Sequence, residues 1–297
     1  MRYDCAIIGS GPAGLQAALN LKIRGKDFIL FGNADLSRKI RTAPLVKNYL
    51  GLPSISGEEL YSAFSKHLQD MDIELTFEKV TLVYPMGDYF SLATGHNIYE
   101  ASCVILAPGV FQASFLKGER EFMGRGVGYC ATCDAALYKN RTVAIIGYTA
   151  ESVAEAQFMA GIASKVYFIA QGKFAERPAP PVEIIESGPL EVIGEKRVEA
   201  LKLESMTLEV DGIFFLRESV APDTLVPGIE LENGFIKVDG AMRTSLIGCF
   251  AAGDCTGKPH QYIRAAGQGL TAAYSAVEYI DNIKRSESHA RAYKQII

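Results

Sequence analysis

The chain has 297 residues, of which 48% are hydrophobic and 22% are charged, and its formal net charge is −4. This length predicts two domains, and the absence of a basic excess argues against a nucleic-acid-binding protein. No apolar run approaches the ~18 residues of a membrane span, and the first residues lack the pattern of a signal peptide, so we expect a cytoplasmic protein.

The chain opens with the pattern of a nucleotide-binding βαβ unit. An apolar strand, Tyr3 to Ile8, runs into a glycine-rich turn at 9–14, and a helical pattern and a second strand at 28–31 follow. In such a turn, glycines permit a tight bend, approach of a pyrophosphate and close packing of the helix, whose free N–H groups bind phosphate. The acidic residue expected at the end of the second strand is replaced by Phe31 and Gly32. The predicted phosphate-binding residues are Gly9, Ser10, Gly11, Pro12, Ala13 and Gly14.

The second candidate site is a pair of cysteines. Six cysteines without a secretory signal favour reduced thiols plus one catalytic pair over a disulfide framework. Cys130 and Cys133 precede a helical stretch, whose amino terminus would lower a thiol pKa, and Asp134 can supply or accept the proton of disulfide exchange. The alternatives are half of a zinc site, which needs four ligands, or inert cysteines. We expect the other cysteines to be buried or loop thiols: Cys5, Cys103, Cys249 and Cys255.

A second βαβ pattern follows the cysteine pair, with a strand at 142–147, a helix at 153–163 and a strand at 166–169. Near the end of the chain, a strand leads into a loop over 248–254, and a helix rich in small residues spans 265–280. The predicted fold class is therefore α/β, with two Rossmann-like, three-layer nucleotide-binding domains.

These motifs resemble the low-molecular-weight thioredoxin reductases over nearly the whole chain. The matching segments are GSGPAG at the start, CATCD in the middle, and GCFAAGD followed by Gln-Tyr-Ile and Ala-Gly near the end. The resemblance implies an FAD-binding domain built from residues 1–113 and 239–297. It implies that the smaller domain, residues 114–238, is inserted into the first and carries the cysteine pair, and that the protein is a homodimer.

The resemblance also implies roles for individual residues. Asp254 would hold the FAD ribitol, and Gln261 to Ile263 would lie along the flavin. Cys133 would face the flavin, Cys130 would attack the substrate disulfide, and Asp134 would donate a proton. The implied cofactor-binding residues beyond the glycine-rich turn are Phe31, Gly32, Lys39, Asn48, Ala107, Gly109, Gly253, Asp254, Gln261, Tyr262 and Ile263.

The inserted domain departs from the family's NADPH site. The family has a turn close to GGGxSA, whereas this chain has Gly147 followed by Tyr148 and Thr149, whose side chains stand where a backbone should meet a pyrophosphate. Glu151 adds a negative charge where an anion should bind. Ala-Gln-Gly at 170–172 replaces the basic clamp for a 2′-phosphate. We therefore expect this domain to keep the nucleotide-binding fold and to have lost NADPH binding. The alternative is an NADPH site whose sequence has changed but which still functions.

Without NADPH, the nearest resemblance is to the ferredoxin-dependent flavin thioredoxin reductases. This implies reduced ferredoxin as electron donor, FAD as cofactor and a thioredoxin-like protein as acceptor, with flavodoxin as a donor left open. Because ferredoxins are acidic, we expect a basic docking surface for ferredoxin. Its members would be Arg38, Lys39, Arg41 and Lys47. The alternative is that the same residues are ordinary solvent-exposed charges without a binding role.

Three other functions remain open from the sequence. They are an NADPH-dependent thioredoxin reductase, an FAD-dependent dithiol oxidase that uses oxygen, and a flavin-bound redox sensor. The tail, residues 285–297, either covers the flavin or is an ordinary frayed or dimer-packed terminus.

Overall fold

The computed structural model describes residues 2–33, 36–95, 97–110, 115–172, 174–217 and 220–294, with side chains described at all of these except 38 and 287–294. The strands are β1 Arg2–Ile8, β2 Phe28–Phe31, β3 Leu82–Pro85, β4 Phe90–Ala93, β5 Ile98–Leu106, β6 Val127–Gly128, β7 Thr142–Gly147, β8 Lys165–Ala170, β9 Glu183–Ile184, β10 Pro189–Gly194, β11 Val198–Leu203, β12 Thr207–Glu209, β13 Gly212–Leu216, β14 Leu231–Glu232, β15 Phe235–Ile236 and β16 Cys249–Ala251. The α-helices are α1 Pro12–Ile23, α2 Arg38–Arg41, α3 Gly57–Asp70, α4 Ala131–Asp134, α5 Glu151–Ala160, α6 Pro222–Leu225 and α7 Tyr262–Lys294, and short 3-10 helices span Ala135–Tyr138 and Asp254–Thr256.

The chain forms two compact units. The two-segment unit comprises residues 1–111 and 221–297, and the inserted unit comprises residues 112–220. The second boundary differs from the predicted one, because 221–238 belong to the two-segment unit. Within this stretch, α6 contacts β3, and the hairpin of β14 and β15 contacts the 3-10 helix at Asp254–Thr256, so these residues share the packing of the two-segment unit.

A six-stranded mixed sheet forms the centre of the two-segment unit. Its order is β2-β1-β5-β4-β3, and β16 pairs with the carboxyl half of β5. Strands β2, β1, β5 and β16 run parallel, with Ile8 opposite both Phe31 and Leu106, whereas β4 and β3 are antiparallel additions. The carboxyl ends of β1, β2, β5 and β16 therefore meet at one sheet edge, which is where open α/β sheets bind ligands.

Helices α1 and α7 pack together over this sheet. Their contact consists largely of small side chains, and a Cβ atom built on Gly269 would lie 2.0 Å from the carbonyl oxygen of Ala13. Ala272, Ala273 and Ala276 are fully buried in the same core. The small residues thus let the two helix backbones approach closely. None of the described helices combines the length and apolar character needed to span a membrane.

The inserted unit has three layers. A parallel sheet of order β6-β13-β7-β8-β9 lies between helical segments and the antiparallel sheet β10-β11-β12. Alternate residues of β7 face the two layers: Val143 and Ile145 pack with α4 and α5, whereas Ala144 and Ile146 pack with β10 and β11. Because both faces are covered, this strand is a continuous apolar run.

The described elements confirm the predicted fold class: two Rossmann-like units, with the unit carrying the cysteine pair inserted into the other. The predicted helix at 265–280 proves longer, because α7 begins at Tyr262 and its backbone continues to Lys294. Side chains of the tail beyond 286 lie outside the described residues, so its proposed role over the flavin stays a prediction.

Candidate functional sites

The glycine-rich turn connects β1 to α1 and leaves one open position. Gly9 has a φ of +114°, and a Cβ built on it would lie 2.1 Å from the Ala107 carbonyl oxygen. A Cβ on Gly14 would lie 1.8 Å from the Gly9 carbonyl oxygen, whereas a Cβ on Gly11 would have no atom within 4 Å. The first two glycines therefore serve the close packing of strand, turn and helix. Gly11 faces open space, as a backbone approached by a ligand requires.

The amino end of α1 suits an anion. The first backbone hydrogen bond of this helix runs from the Leu15 N–H to the Gly11 carbonyl at 2.9 Å, so the N–H groups of Ala13 and Gly14 precede the intrahelical pattern. Pro12 occupies the first helical position, and the first turn contains no acidic residue. These residues fit the pyrophosphate of a dinucleotide such as FAD.

The end of β2 explains the missing acidic residue. A Cβ on Gly32 would lie 2.3 Å from both Cβ and Oγ of Ser10. The Ser10 hydroxyl donates to the Leu36 carbonyl at 2.5 Å and accepts the Asn33 N–H at 3.1 Å, which holds it against Gly32. Only glycine fits here. Phe31, predicted as a cofactor contact, has a side chain only 2% exposed, packed edge-on against Tyr99, so it offers a ligand only its backbone.

Two loops beside the glycine-rich turn complete this sheet edge. The Ala107 N–H donates to the Ile8 carbonyl at 2.8 Å, and Gly109 has a φ of +79° with open space at its Cβ position. Gly253 has a φ of +86°, and its N–H donates to Gln268 Oε1 at 2.9 Å. Asp254, half-buried, follows directly. Gln268, which the sequence analysis missed, holds this loop from α7.

A third cluster joins the segment before α3 to the start of α7. The Asn48 side-chain amide donates to Gln261 Oε1 at 2.5 Å, and the Tyr262 hydroxyl donates to the Lys39 carbonyl at 3.0 Å. Ile263 is 43% exposed beside them. The structure therefore brings together four predicted flavin-contacting residues that are separated by more than 200 positions in the chain.

The predicted redox pair forms a disulfide in the inserted unit. The Cys130 and Cys133 sulfurs are bonded, and their Cα atoms lie 5.4 Å apart. Cys130 is the N-cap of α4, and its sulfur accepts the Cys133 N–H at 3.2 Å. Such a hydrogen bond stabilises a thiolate on Cys130 when the bond is reduced. Since α4 has only four residues, this local N–H contributes more than a helix dipole does.

The two sulfurs differ in exposure. Cys130 is 7% exposed, whereas Cys133 is exposed. Attack by Cys130 on a protein disulfide therefore requires its sulfur to become accessible, and the assignment of roles within the pair stays a prediction.

Two carboxylates flank the disulfide. Asp134 is half-buried, and a Cβ built on Gly128 would lie 3.0 Å from its Oδ2; burial raises the pKa of its carboxyl, which favours the protonated form. Glu155 reaches across from α5, where its Oε2 accepts the Ala131 N–H at 2.9 Å. The sequence analysis missed Glu155, because a glutamate 24 residues away on another helix gives no local signal.

The remaining cysteines are all buried free thiols: Cys5, Cys103, Cys249 and Cys255. Burial raises the pKa of Cys249 and Cys255 to about 12 and that of Cys103 well above its usual range. Thiols held protonated in this way react slowly in disulfide exchange. The disulfide pair therefore has a reactivity that Cys103, Cys249 and Cys255 lack.

The corresponding turn of the inserted unit, between β7 and α5, is poor in glycine and is held by hydrogen bonds among its own residues. The buried Ser152 hydroxyl donates to the Thr149 carbonyl at 2.5 Å, and the Ser152 and Val153 N–H groups donate to the Thr149 and Ala150 carbonyls, both at 3.1 Å. Glu151 lies in the first helical turn. Two of the N–H groups at the start of α5 are thus engaged within the turn, and a carboxylate stands beside them.

A buried ion pair lies behind this turn. Arg217 Nη1 and Nη2 donate to Glu119 Oε1 and Oε2 at 2.5 and 2.8 Å, and the two side chains are 5% and 0% exposed. The Tyr129 hydroxyl also donates to Glu119, at 3.0 Å. The Arg217 guanidinium lies 5.0 Å from the centre of the Tyr148 ring. Tyr148 therefore packs on a cation of its own chain.

The expected basic surface is only partly available for docking. Lys39 and Lys47 are exposed. Arg41 is also exposed, but its Nε donates to Glu58 Oε2 at 2.9 Å and its guanidinium lies 5.0 Å from the Tyr61 ring. The side chain of Arg38 lies outside the described residues.

Comparisons with known proteins extend over nearly the whole chain. A family model described as pyridine nucleotide-disulphide oxidoreductase matches residues 3–269. The thioredoxin reductase of Aquifex aeolicus (strain VF5) is 32% identical over 306 residues, covering 95% of each chain. A solved ferredoxin-flavin thioredoxin reductase from Clostridium acetobutylicum is 51% identical, with a TM-score of 0.89 over 95% of this chain and 99% of that chain. A thioredoxin reductase from Gloeobacter violaceus is 28% identical, with a TM-score of 0.78 over 95% of each chain.

Proposed function

Because the chain belongs to the pyridine nucleotide-disulphide oxidoreductases, and within them to the flavin-dependent thioredoxin reductases, we propose that it passes electrons from reduced ferredoxin through FAD to thioredoxin. Its general class is that of an oxidoreductase acting on disulfides. The electron donor is the specific part of the proposal. The observation that carries it is the turn at 147–152, whose N–H groups, side chains and charge oppose a dinucleotide phosphate.

The residues after β8 also support ferredoxin, rather than NADPH, as the electron donor. Gln171 stands where the family's basic clamp would be, and its side chain donates to the Ala170 carbonyl at 3.0 Å. An amide cannot pair with a 2′-phosphate as a guanidinium does. The 51% identity with a protein described as a ferredoxin-flavin thioredoxin reductase supports ferredoxin independently.

The residues that would hold FAD belong to the two-segment unit. The amino end of α1 and Gly11 fit the pyrophosphate, Asp254 would accept hydrogen bonds from the ribitol, and the Asn48 and Gln261 pair would lie along the flavin. When bound, the flavin supplies a centre that takes single electrons from a donor and delivers two to a disulfide.

The reduced pair then carries out the exchange with thioredoxin. The Cys130 thiolate attacks one sulfur of the thioredoxin disulfide, forming a mixed disulfide and releasing a thioredoxin thiolate that takes a proton from Asp134. The Cys133 thiolate next attacks the Cys130 sulfur. This step re-forms the Cys130 to Cys133 bond and releases the second thioredoxin thiolate, which is protonated by solvent. Two electrons have then moved from the pair to thioredoxin.

The decisive experiment is anaerobic reduction of the bound flavin, followed by its absorbance, with NADPH, NADH and reduced ferredoxin in parallel. We expect bleaching with reduced ferredoxin and none with either nucleotide at millimolar concentration. Bleaching by NADPH at micromolar concentration would replace this proposal with the NADPH-dependent one. Oxygen consumption with small dithiols, in the absence of ferredoxin, would point instead to a dithiol oxidase.

We further propose a homodimer located in the cytoplasm, on the family resemblance alone. Sedimentation of the flavin-loaded protein tests the assembly state, and fractionation of cells that express it tests the location.

A further inference from the structure

The carboxylate of Glu155 and the sulfur of Cys130 bind two donors at the same end of one helix. Glu155 Oε2 accepts the Ala131 N–H at 2.9 Å, and Cys130 Sγ accepts the Cys133 N–H at 3.2 Å. Both donors belong to the amino-terminal turn of α4. Glu155 comes from α5, packs against α4 and is half-buried, so its charge is only partly screened by solvent.

We propose that Glu155 is a positioning residue that keeps the reduction potential of the Cys130 to Cys133 disulfide low, by placing a fixed negative charge beside the developing Cys130 thiolate. The inference rests on the pair being the redox centre of the proposed function. The described contact of Glu155 is with the Ala131 N–H, next to Cys130. Glu155 acts through the Ala131 backbone and through its charge.

The physical basis lies in the reduced state. Reduction adds two electrons, breaks the sulfur–sulfur bond and takes up one proton if Cys130 remains a thiolate, or two if it becomes a thiol. Anything that stabilises the thiolate stabilises the reduced form and raises the potential, as in strongly oxidising disulfide proteins. A neighbouring carboxylate does the opposite. A low potential favours electron transfer from the pair onward to another disulfide.

The other titratable groups around the pair leave this role to Glu155. Asp134 is the last residue of the four-residue helix α4, and Tyr138 follows in the 3-10 helix, where burial and then the charge of Asp134 raise its pKa. Asp134 belongs to the same single turn of α4, but its described neighbour is Gly128, whereas Glu155 accepts the Ala131 N–H directly beside Cys130. Glu155 is the carboxylate whose described contact lies at the amino end of α4.

The test is the equilibrium between the holoenzyme and mixtures of reduced and oxidised dithiothreitol at pH 8. After acid quenching, alkylation and mass measurement give the fraction of protein with a reduced pair, and the four buried thiols contribute a constant background. We expect E155Q, which keeps an oxygen acceptor for the Ala131 N–H, to shift the equilibrium about tenfold toward the reduced form, or ~30 mV for this two-electron couple. E155D, which keeps the charge, should stay within twofold of wild type.

Glu151→Gln is the matched control, because it removes the same charge from the same helix one turn earlier, from an exposed position. It should shift the equilibrium less than twofold. E155A removes the same charge and replaces E155Q if that variant fails to unfold cooperatively. An unchanged equilibrium in a folded charge-removing variant, or an equal shift in E151Q, would overturn the inference. The dithiothreitol measurement involves no ferredoxin, so a failure of ferredoxin to reduce the flavin would overturn the proposed donor and leave this result standing.

Discussion

Arg217 and Glu119 form a two-point ion pair within the inserted unit, and almost none of either side chain reaches solvent. They lie 98 positions apart, on the segments that precede β6 and follow β13. The pair is linked to the degenerate nucleotide turn, since the Arg217 guanidinium lies over the Tyr148 ring and the Tyr148 N–H donates to the Leu216 carbonyl. The turn between β7 and α5 is therefore tied into the packing of its own unit.

Breaking this pair should cost considerable stability. Glu119→Gln keeps one acceptor oxygen, whereas the Tyr129 hydroxyl and the Leu116 N–H donate to different oxygens of Glu119, and it leaves the Arg217 charge buried without its counterion. We expect a loss of about 3 kcal/mol in the free energy of unfolding. Urea denaturation of the flavin-loaded protein, followed by circular dichroism, measures it.

The control for this prediction is an exposed pair of the same residue types in the same unit. Arg177 and Glu186 are bonded at 2.5 Å with side chains 66% and 67% exposed. We expect E186Q to cost at most about 1 kcal/mol. Equal losses in E119Q and E186Q would contradict the prediction.

Gly11 and Gly14 should separate cofactor binding from folding. Gly11→Ala introduces a methyl group into open space at a φ of −77°, which alanine adopts freely, so the fold should persist. The methyl group would meet the pyrophosphate, and we expect FAD affinity to fall at least tenfold. Gly14→Ala would overlap the Gly9 carbonyl and should destabilise the apoprotein itself. Titration of apoprotein with FAD and urea denaturation of the same samples measure the two effects. Unchanged FAD affinity in G11A would remove Gly11 from the site.

The two nucleotide folds and the redox pair could be predicted because their signals are local. Strand, glycine-rich turn and helix occupy consecutive residues, and the spacing of Gly9, Gly11 and Gly14 reflects steric needs within a single turn. The cysteine pair is likewise contained in one turn of chain. In these cases, neighbouring residues in the sequence are also neighbours in space.

The features that were missed depend on distant residues. Glu155 lies on the half-buried side of α5, and only the packing of α5 against α4 reveals its contact with Ala131. The second domain boundary was misplaced because the hairpin at 231–236 is short, and its unit is decided by contacts with the loop around Thr256. Phe31 was predicted as a cofactor-binding residue, but its ring packs edge-on against Tyr99.

The roles within the redox pair can be separated by trapping. We expect Cys133→Ser to accumulate a stable mixed disulfide with oxidised thioredoxin after reduction, because Cys130 can attack and no thiol remains to resolve the product. Cys130→Ser should accumulate much less, since its remaining sulfur lacks the Cys133 N–H contact. Non-reducing electrophoresis and intact mass measure the adduct. The reverse pattern would exchange the two roles.

The raised pKa of Asp134 makes predictions for activity and for stability, and Asp134→Asn should change the two in opposite directions. Its carboxyl keeps a proton to higher pH than an ordinary aspartate does, so thioredoxin reduction should fall as pH rises through that pKa. Asp134→Asn should lower the rate at least tenfold and remove this limb of the pH profile. An unaltered limb in D134N would assign it to another group.

Asp134→Asn should change stability in the opposite direction from activity. Because the native state binds this proton more tightly than the unfolded state, the Asp134 contribution to stability is greatest below the usual aspartate range and is lost as pH rises through the raised pKa. Above the raised pKa the ionised, half-buried carboxylate is therefore unfavourable. D134N should be slightly more stable than wild type above that pKa, and the difference should vanish in acid. Urea midpoints at a series of pH values test this.

A basic docking surface predicts a salt-dependent loss when its charges are reversed. Lys39 and Lys47 are the exposed members without a described ion pair, whereas Arg41 already binds Glu58. We expect K39E/K47E to slow flavin reduction by ferredoxin at least fivefold at low ionic strength, with a smaller difference at high salt, because complementary charge acts mainly on the association rate. Lys196→Glu, which reverses an exposed charge between β10 and β11, is the matched control and should leave the rate within twofold.

Flavin content is measured in every variant, because Lys39 lies beside the predicted flavin contacts. An unchanged rate and salt dependence in the flavin-loaded double variant would show that Lys39 and Lys47 are ordinary solvent-exposed charges and do not bind ferredoxin.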